Sequence, residues 1–388
     1  MTEPVTTTSG TGGPIALSAR ALGPDLARGW MLLFIALANT HYFLGAGAEV
    51  RGGFPVAGSA VDHAVTWAIS TFVDGRAFPM FGFLFGYGVA HIVRRQGDRP
   101  RREVRHLLWR RAAVLVGVGL IDGLFFYVGD ILAMYGALLL VGAWVVFWPD
   151  RWLLVTAALF FVLNALPSEG SSSVSTDRPD PSMLPPDLAT LLTDRPVGLA
   201  IVALLGPLGF ACPALLGLWA GRRRLLERPA ETRRALVAIA AVGVPVAVLG
   251  AQPVALVLAG VTGVPDADVL DLIGPLHDAT GVLGGLGYAA LVTLVAQRLE
   301  ARGRPQGRVV GALAAAGQRS MTCYLLQSVA WAILFTPFLL DLSGRLTVAT
   351  TALLATAVWA GSVLLADGLA RRGRRGPFEV LVRRVTYR

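Results

Sequence analysis

The chain has 388 residues, 54% of them hydrophobic and 15% charged, and a mean hydropathy of +0.61, which excludes an ordinary soluble domain and calls for lipid as solvent. The formal net charge is +9 and every fixed cation is Arg, because the chain has no Lys. These arginines form short clusters between apolar runs, not a folded basic face, which argues against nucleic acid as a partner.

Residues 1–20 are rich in Thr, Ser and Gly and have no apolar core, so they read as a disordered cytoplasmic leader and not a cleaved signal peptide. Residues 21–370 read as a transmembrane helical domain and 371–388 as a basic cytoplasmic tail. A crossing helix needs roughly 20 apolar residues. About ten spans of that kind are predicted, near 28–47, 62–93, 110–128, 130–148, 152–167, 198–220, 235–260, 279–298, 312–341 and 347–367. The second is too long for one straight helix and contains Asp74, Gly75, Arg76 and Pro79, so a break is expected there. Counting the broken span twice would raise the number to about eleven. The expected class is therefore an all-α, polytopic membrane protein of the cell membrane.

Positive residues in short loops stay on the cytoplasmic side. Arg94, Arg95, Arg99, Arg101, Arg102 and Arg105 fill one connection, Arg222 to Arg234 another, and Arg302, Arg304 and Arg308 a third, with Arg371 to Arg388 in the tail. The listed spans put all of these on one side, with both chain ends, N-in and C-in. The loop near 168–196, with Glu169, Asp177, Asp180, Asp187 and Asp194, falls on the other side and reads equally as the cover of an outer cavity or as a solvated connector. Cys212 and Cys323 lie in separate apolar segments and suggest neither a disulfide framework nor a metal site, and no metal is expected.

Ionisable residues inside spans are costly and usually face a cavity or one another. His63, Asp122, Asp130 and His277 fall in or near the outer half, Asp74 and Arg76 sit at the expected break, and Gln327 lies mid-span. One outer polar cavity would account for the set. In the first span Asp25, Arg28 and Asn39 share one helix face, and His41 points the other way if the helix stays regular. Plainer readings stand beside these: His41 and His63 as interfacial helix-end residues, and Asp130 as a helix cap.

Several blocks carry a resemblance. Arg20 to Gly29, Gly75 to Gly88, Gly129 to Gly136, Gly317 to Ser328 and the closing Gly376-Pro377-Phe378-Glu379 to Arg388 resemble the YeiB-like family of bacterial membrane proteins, domain of unknown function 418. This chain has Asp122 where that family is expected to carry His, and Cys323 where Asn often stands before Tyr324. The family is similar in outline to transmembrane acyltransferases, among them the lysosomal enzyme that acetylates the terminal glucosamine of heparan sulfate.

That similarity implies an acyl-CoA donor, acetyl-CoA above all, and a small-molecule or glycan acceptor bearing a hydroxyl or amine. It implies His63 as catalyst with His41 as understudy, Asp74 orienting the ring, and Arg28, Asn39 and Arg76 on the donor side. A transporter or flippase built on the same buried charges is the main alternative, and a non-catalytic sensor or immunity protein a third. Nothing in the sequence decides between a monomer and a homodimer.

Overall fold

The computed structural model describes residues 21–44, 49–168, 171–178, 180, 182–302 and 307–387. The 1–20 leader, Glu169, Arg304 and Arg388 lie outside them. The described residues form thirteen α-helices with one two-stranded hairpin, Val50–Arg51 paired antiparallel to Phe54–Pro55.

The helices are α1 (Leu22–Thr40), α2 (Ala60–Phe72), α3 (Ala77–Arg94), α4 (Arg101–Phe125), α5 (Ile131–Val145), α6 (Asp150–Ala165) and α7 (Leu188–Arg222). After them come α8 (Pro229–Leu258), α9 (Ala267–Ala301), α10 (Arg308–Gln318), α11 (Ser320–Phe335), α12 (Val348–Arg371) and α13 (Pro377–Thr386). Five segments are long and apolar enough to cross a membrane, Ala60–Arg94 with its break, α7, α8, α9 and α12, and α5 and α11 are shorter apolar helices. Large apolar side chains stay exposed, as on α6 at Trp152, Leu159 and Val162.

The second span breaks where the sequence predicts: α2 ends at Phe72 and α3 begins at Ala77. Gly75 between them has φ +70, a left-handed conformation that glycine adopts without penalty. The run expected as one span at 312–341 is also divided, into α10 and α11 at Arg319, a buried residue with φ −118 and ψ 29. The tail is not featureless, because α13 forms within it.

Glycine lets backbones meet: a Cβ on Gly86 or Gly217 would collide with the facing α7 or α3 backbone, and one on Gly29 with Leu313 of α10. Helix α1 is the hub, touching α3, α9, α10, α11 and α12.

Candidate functional site

At the Arg-rich end of the bundle lies a cavity of about 790 Å³. Its mouth carries Arg95 after α3, Arg224 and Arg228 between α7 and α8, and Arg375 and Arg383 from the tail, while Arg319 at the α10–α11 junction lines it as a buried residue bonded to backbone carbonyls. Arg28 and Asp25 of α1 and Arg111 of α4 line it as well. Deeper in, the wall becomes Met31, Phe81, Leu84, Phe85, Leu132 and Tyr135. Arg95 and Phe81 lie fourteen residues apart along α3, so mouth and floor are separated by about 20 Å. The result is an amphipathic vestibule with a cationic rim and an apolar, aromatic depth.

The rim is held by specific contacts. Glu379 of α13 accepts hydrogen bonds from the backbone N–H groups of Met321 (2.9 Å) and Thr322 (3.1 Å) and from the Thr322 hydroxyl (2.5 Å), which ties α13 to the first turn of α11. Arg319 returns the link by donating to the Arg374 carbonyl. Across the mouth, Glu227 pairs with Arg94 (2.5 Å) and His91 (3.0 Å). Burial works against the Glu227 charge, but the hydrogen bonds from His91 and Arg94 outweigh it and hold the carboxyl below its ordinary range.

At the opposite end of α1 and α3 the polar residues form a second, closed group. Arg76 is 0% exposed; it donates to the Asp74 carbonyl (2.6 Å) and the Ala247 carbonyl (2.7 Å) and lies 2.7 Å from His277 Nε2. His277 Nδ1 lies 3.3 Å from Asp278, whose carboxylate accepts from Ser173 (2.7 Å). His41 occupies the 3-10 turn His41–Leu44 after α1, stacked on Phe54 of the hairpin at 3.8 Å and 3°. Asp74 lies within electrostatic range of both His41 and Tyr42. The Gly52 N–H donates to the Ser175 carbonyl (2.8 Å), so the hairpin and the loop around Ser173 close over this group together.

A third group joins the deep end of the vestibule. Tyr324 lines the cavity, donates to Asp130 Oδ1 (3.3 Å) and accepts from the Ile131 N–H (3.2 Å). Asp130 also caps α5 through the Ala133 N–H (2.7 Å). Asp122 and Asp130 act on each other directly, and both are buried. Gln327 donates to the Leu32 carbonyl (3.3 Å).

The polar residues expected around a single outer cavity thus fall into three groups, of which the vestibule and the Asp122–Asp130 pair meet at Tyr324. Asp25, Arg28 and Tyr324 belong to the vestibule; Asp74, Arg76, His277 and His41 belong to the closed group; Asp122 and Asp130 form their own pair. Two placements differ from expectation. His63 stands at the start of α2 beside Gly260, eleven residues before Asp74, about 16 Å along the chain axis. Asn39 is likewise eleven residues from Arg28 and does not line the vestibule with it. The residues that sequence reasoning missed are Arg111, Arg319, Glu227, Glu379 and Tyr135. Three of the quoted blocks contain missed residues, Met134-Tyr135-Gly136, Gln318-Arg319-Ser320 and Pro377-Phe378-Glu379.

The family model described as "Protein of unknown function (DUF418)" matches residues 220–388. The match covers somewhat less than half of the chain, so residues 220–388 are similar to that family. The relative "Uncharacterized protein YxaH" from Bacillus subtilis (strain 168) is 27% identical over 355 residues, covering 85% of this chain and 83% of its own; the likeness therefore extends beyond the DUF418 portion. That portion supplies α8 to α13 and, with the turn before α8, the vestibule's Arg224, Arg228, Arg319, Arg375, Glu379 and Arg383. The preceding half supplies Arg28, Arg95, Arg111 and the aromatic floor, so the vestibule is built across the two halves.

Proposed function

We propose that the protein is a cell-membrane acyltransferase of about ten crossings, both ends cytoplasmic, that moves an acyl group from cytoplasmic acyl-CoA to an acceptor hydroxyl or amine at the opposite face. The observation that carries this reading is the vestibule: arginines from six separate stretches of chain line it, and apolar and aromatic side chains line its depth. An amphiphile with a phosphate-rich head and an apolar acyl arm has that polarity. Arginine is the side chain best suited to bind phosphate through paired N–H donors. The volume lies within the roughly 300–1,000 Å³ of small-molecule sites.

For the reaction, His41 is a stronger candidate than His63, because His41 shares its surroundings with Asp74 and is shielded from solvent by Phe54 and Tyr42. His41 would take the proton from the acceptor as its oxygen or nitrogen bonds to the thioester carbon. As the carbon–sulfur bond breaks, His41 would return that proton to the leaving thiolate. Asp74, within electrostatic range, would stabilise the imidazolium formed between these two transfers. Met31 of the vestibule and His41 are ten residues apart on α1, about 15 Å, a distance the acyl-bearing arm has to cover.

Isothermal titration with acetyl-CoA and transfer of a labelled acetyl group test the proposal. His41→Ala is expected to leave binding in place and lower transfer at least about 100-fold, with His63→Ala near wild type. Loss of transfer in the His63 variant alone would return the catalytic role to His63. The second reading, a transporter or flippase, draws on the Asp122–Asp130 pair, since paired carboxyls inside a membrane suit proton coupling. Uptake by proteoliposomes with no acyl release would favour it.

A further inference from the structure

Tyr135 is the one aromatic hydroxyl on the vestibule floor that protein contacts leave unanswered. Its ring is fixed between Phe81 (4.9 Å, 3°) and Phe85 (4.4 Å, 11°), with Phe210 edge-on at 5.1 Å and 82°. The residue is 1% exposed, and its hydroxyl has no hydrogen-bond partner among the described residues. The surrounding wall, Met31, Phe81, Phe85 and Leu132, offers no oxygen or nitrogen on a side chain. Tyr324 shows the contrast, because its hydroxyl at the same cavity is occupied by Asp130 and the Ile131 N–H.

A buried hydroxyl without a partner destabilises a fold, and phenylalanine would preserve the same stack without that cost. A polar group that enters the cavity beside this buried hydroxyl would supply the missing partner. We propose that Tyr135 is the deep recognition point for the donor: its hydroxyl donates a hydrogen bond to an amide carbonyl oxygen of the acyl-bearing arm, and the rim arginines hold the phosphates. This rests on the acyl-CoA reading of the vestibule and adds to it a specificity-determining residue. The depth agrees, since the stack lies about 20 Å below Arg95 along α3 and an extended ligand places its phosphates and its carbonyls at opposite ends.

The test titrates wild type and Tyr135→Phe, both as the full chain in detergent, with two ligands: acetyl-CoA, and adenosine 3′,5′-bisphosphate, which has phosphates of the head and no carbonyl arm. Acetyl-CoA is expected to bind the variant about tenfold more weakly, while the bisphosphate binds both proteins equally. The melting temperature of the variant should equal or exceed that of wild type. Unchanged acetyl-CoA affinity in the variant overturns the assignment while leaving the acyl-CoA reading intact. Equal weakening for both ligands also overturns it, by showing that the substitution disturbs the cavity as a whole. If wild type binds neither ligand, the reading of the vestibule falls and the inference with it.

Discussion

The two ends of the bundle use the same residue types for different ends. At the Arg-rich end the ion pairs are partly open to solvent, as in Arg94 with Glu227, where the side chains are 19% and 21% exposed, and the cations surround an open space. At the opposite end Arg76 is wholly enclosed and its donors go to two backbone carbonyls and His277. Burial decides the difference. An exposed guanidinium keeps much of its hydration and is free to exchange a partner for a ligand, whereas an enclosed one is fixed by the groups that compensate its lost hydration.

The sharpest way to break this comparison is to remove one arginine from each end. Arg76→Leu should destabilise the protein by about 3–5 kcal/mol, because His277 and the Asp74 and Ala247 carbonyls lose a buried charged partner. Arg383→Ala, at the vestibule mouth, should cost under about 1 kcal/mol of stability and weaken acetyl-CoA binding about fivefold. Thermal denaturation in detergent and titration calorimetry read the two quantities. Equal destabilisation by both substitutions would abolish the distinction between a structural end and a binding end.

A smaller effect of the same kind is expected at the span break. Gly75→Ala places a Cβ at φ +70 and 2.8 Å from His277 Cε1, so backbone strain of about 1–3 kcal/mol adds to a displaced ring. The drop in melting temperature should be accompanied by a shift of the His277 imidazole resonances. A normal melting temperature with unchanged resonances would mean that the break does not depend on glycine.

These residues also show what the sequence made legible. The break was readable because an Asp-Gly-Arg run and a proline interrupt an apolar stretch, which no straight helix in lipid tolerates. The pairings of His63 with Asp74 and of Arg28 with Asn39 were not readable, for a simple geometric reason. Eleven residues return a helix to the same face, yet they also advance it about 16 Å, so sharing a face says nothing about sharing a depth. The vestibule was hidden for a different reason: its arginines lie in stretches far apart along the chain, and each cluster taken alone is a topology signal. Tyr135 stood inside the quoted Gly129 to Gly136 block with no role given to it, and only the missing partner of its hydroxyl separates it from its phenylalanine neighbours.

The smallest expected effect refines the comparison through pH. Glu227 has its carboxyl held below the ordinary range by His91 and Arg94 against the opposing effect of burial, and the Leu226 and Glu227 N–H groups donate to the Tyr87 hydroxyl beside it. Because the folded value is the lower one, folding favours the ionised form. Its contribution is complete above the ordinary glutamate value of about 4.3 and fades as pH falls through the folded value. The pair is partly exposed, so the contribution should stay under about 1 kcal/mol. The melting-temperature gap between wild type and Glu227→Gln should accordingly be constant from about pH 7 to pH 5 and close below about pH 4. The sign is opposite to that of a group whose folded value is raised. A gap that widened on acidification would show that Glu227 is stabilised in its protonated form and that the Arg94 contact does not hold at the vestibule mouth.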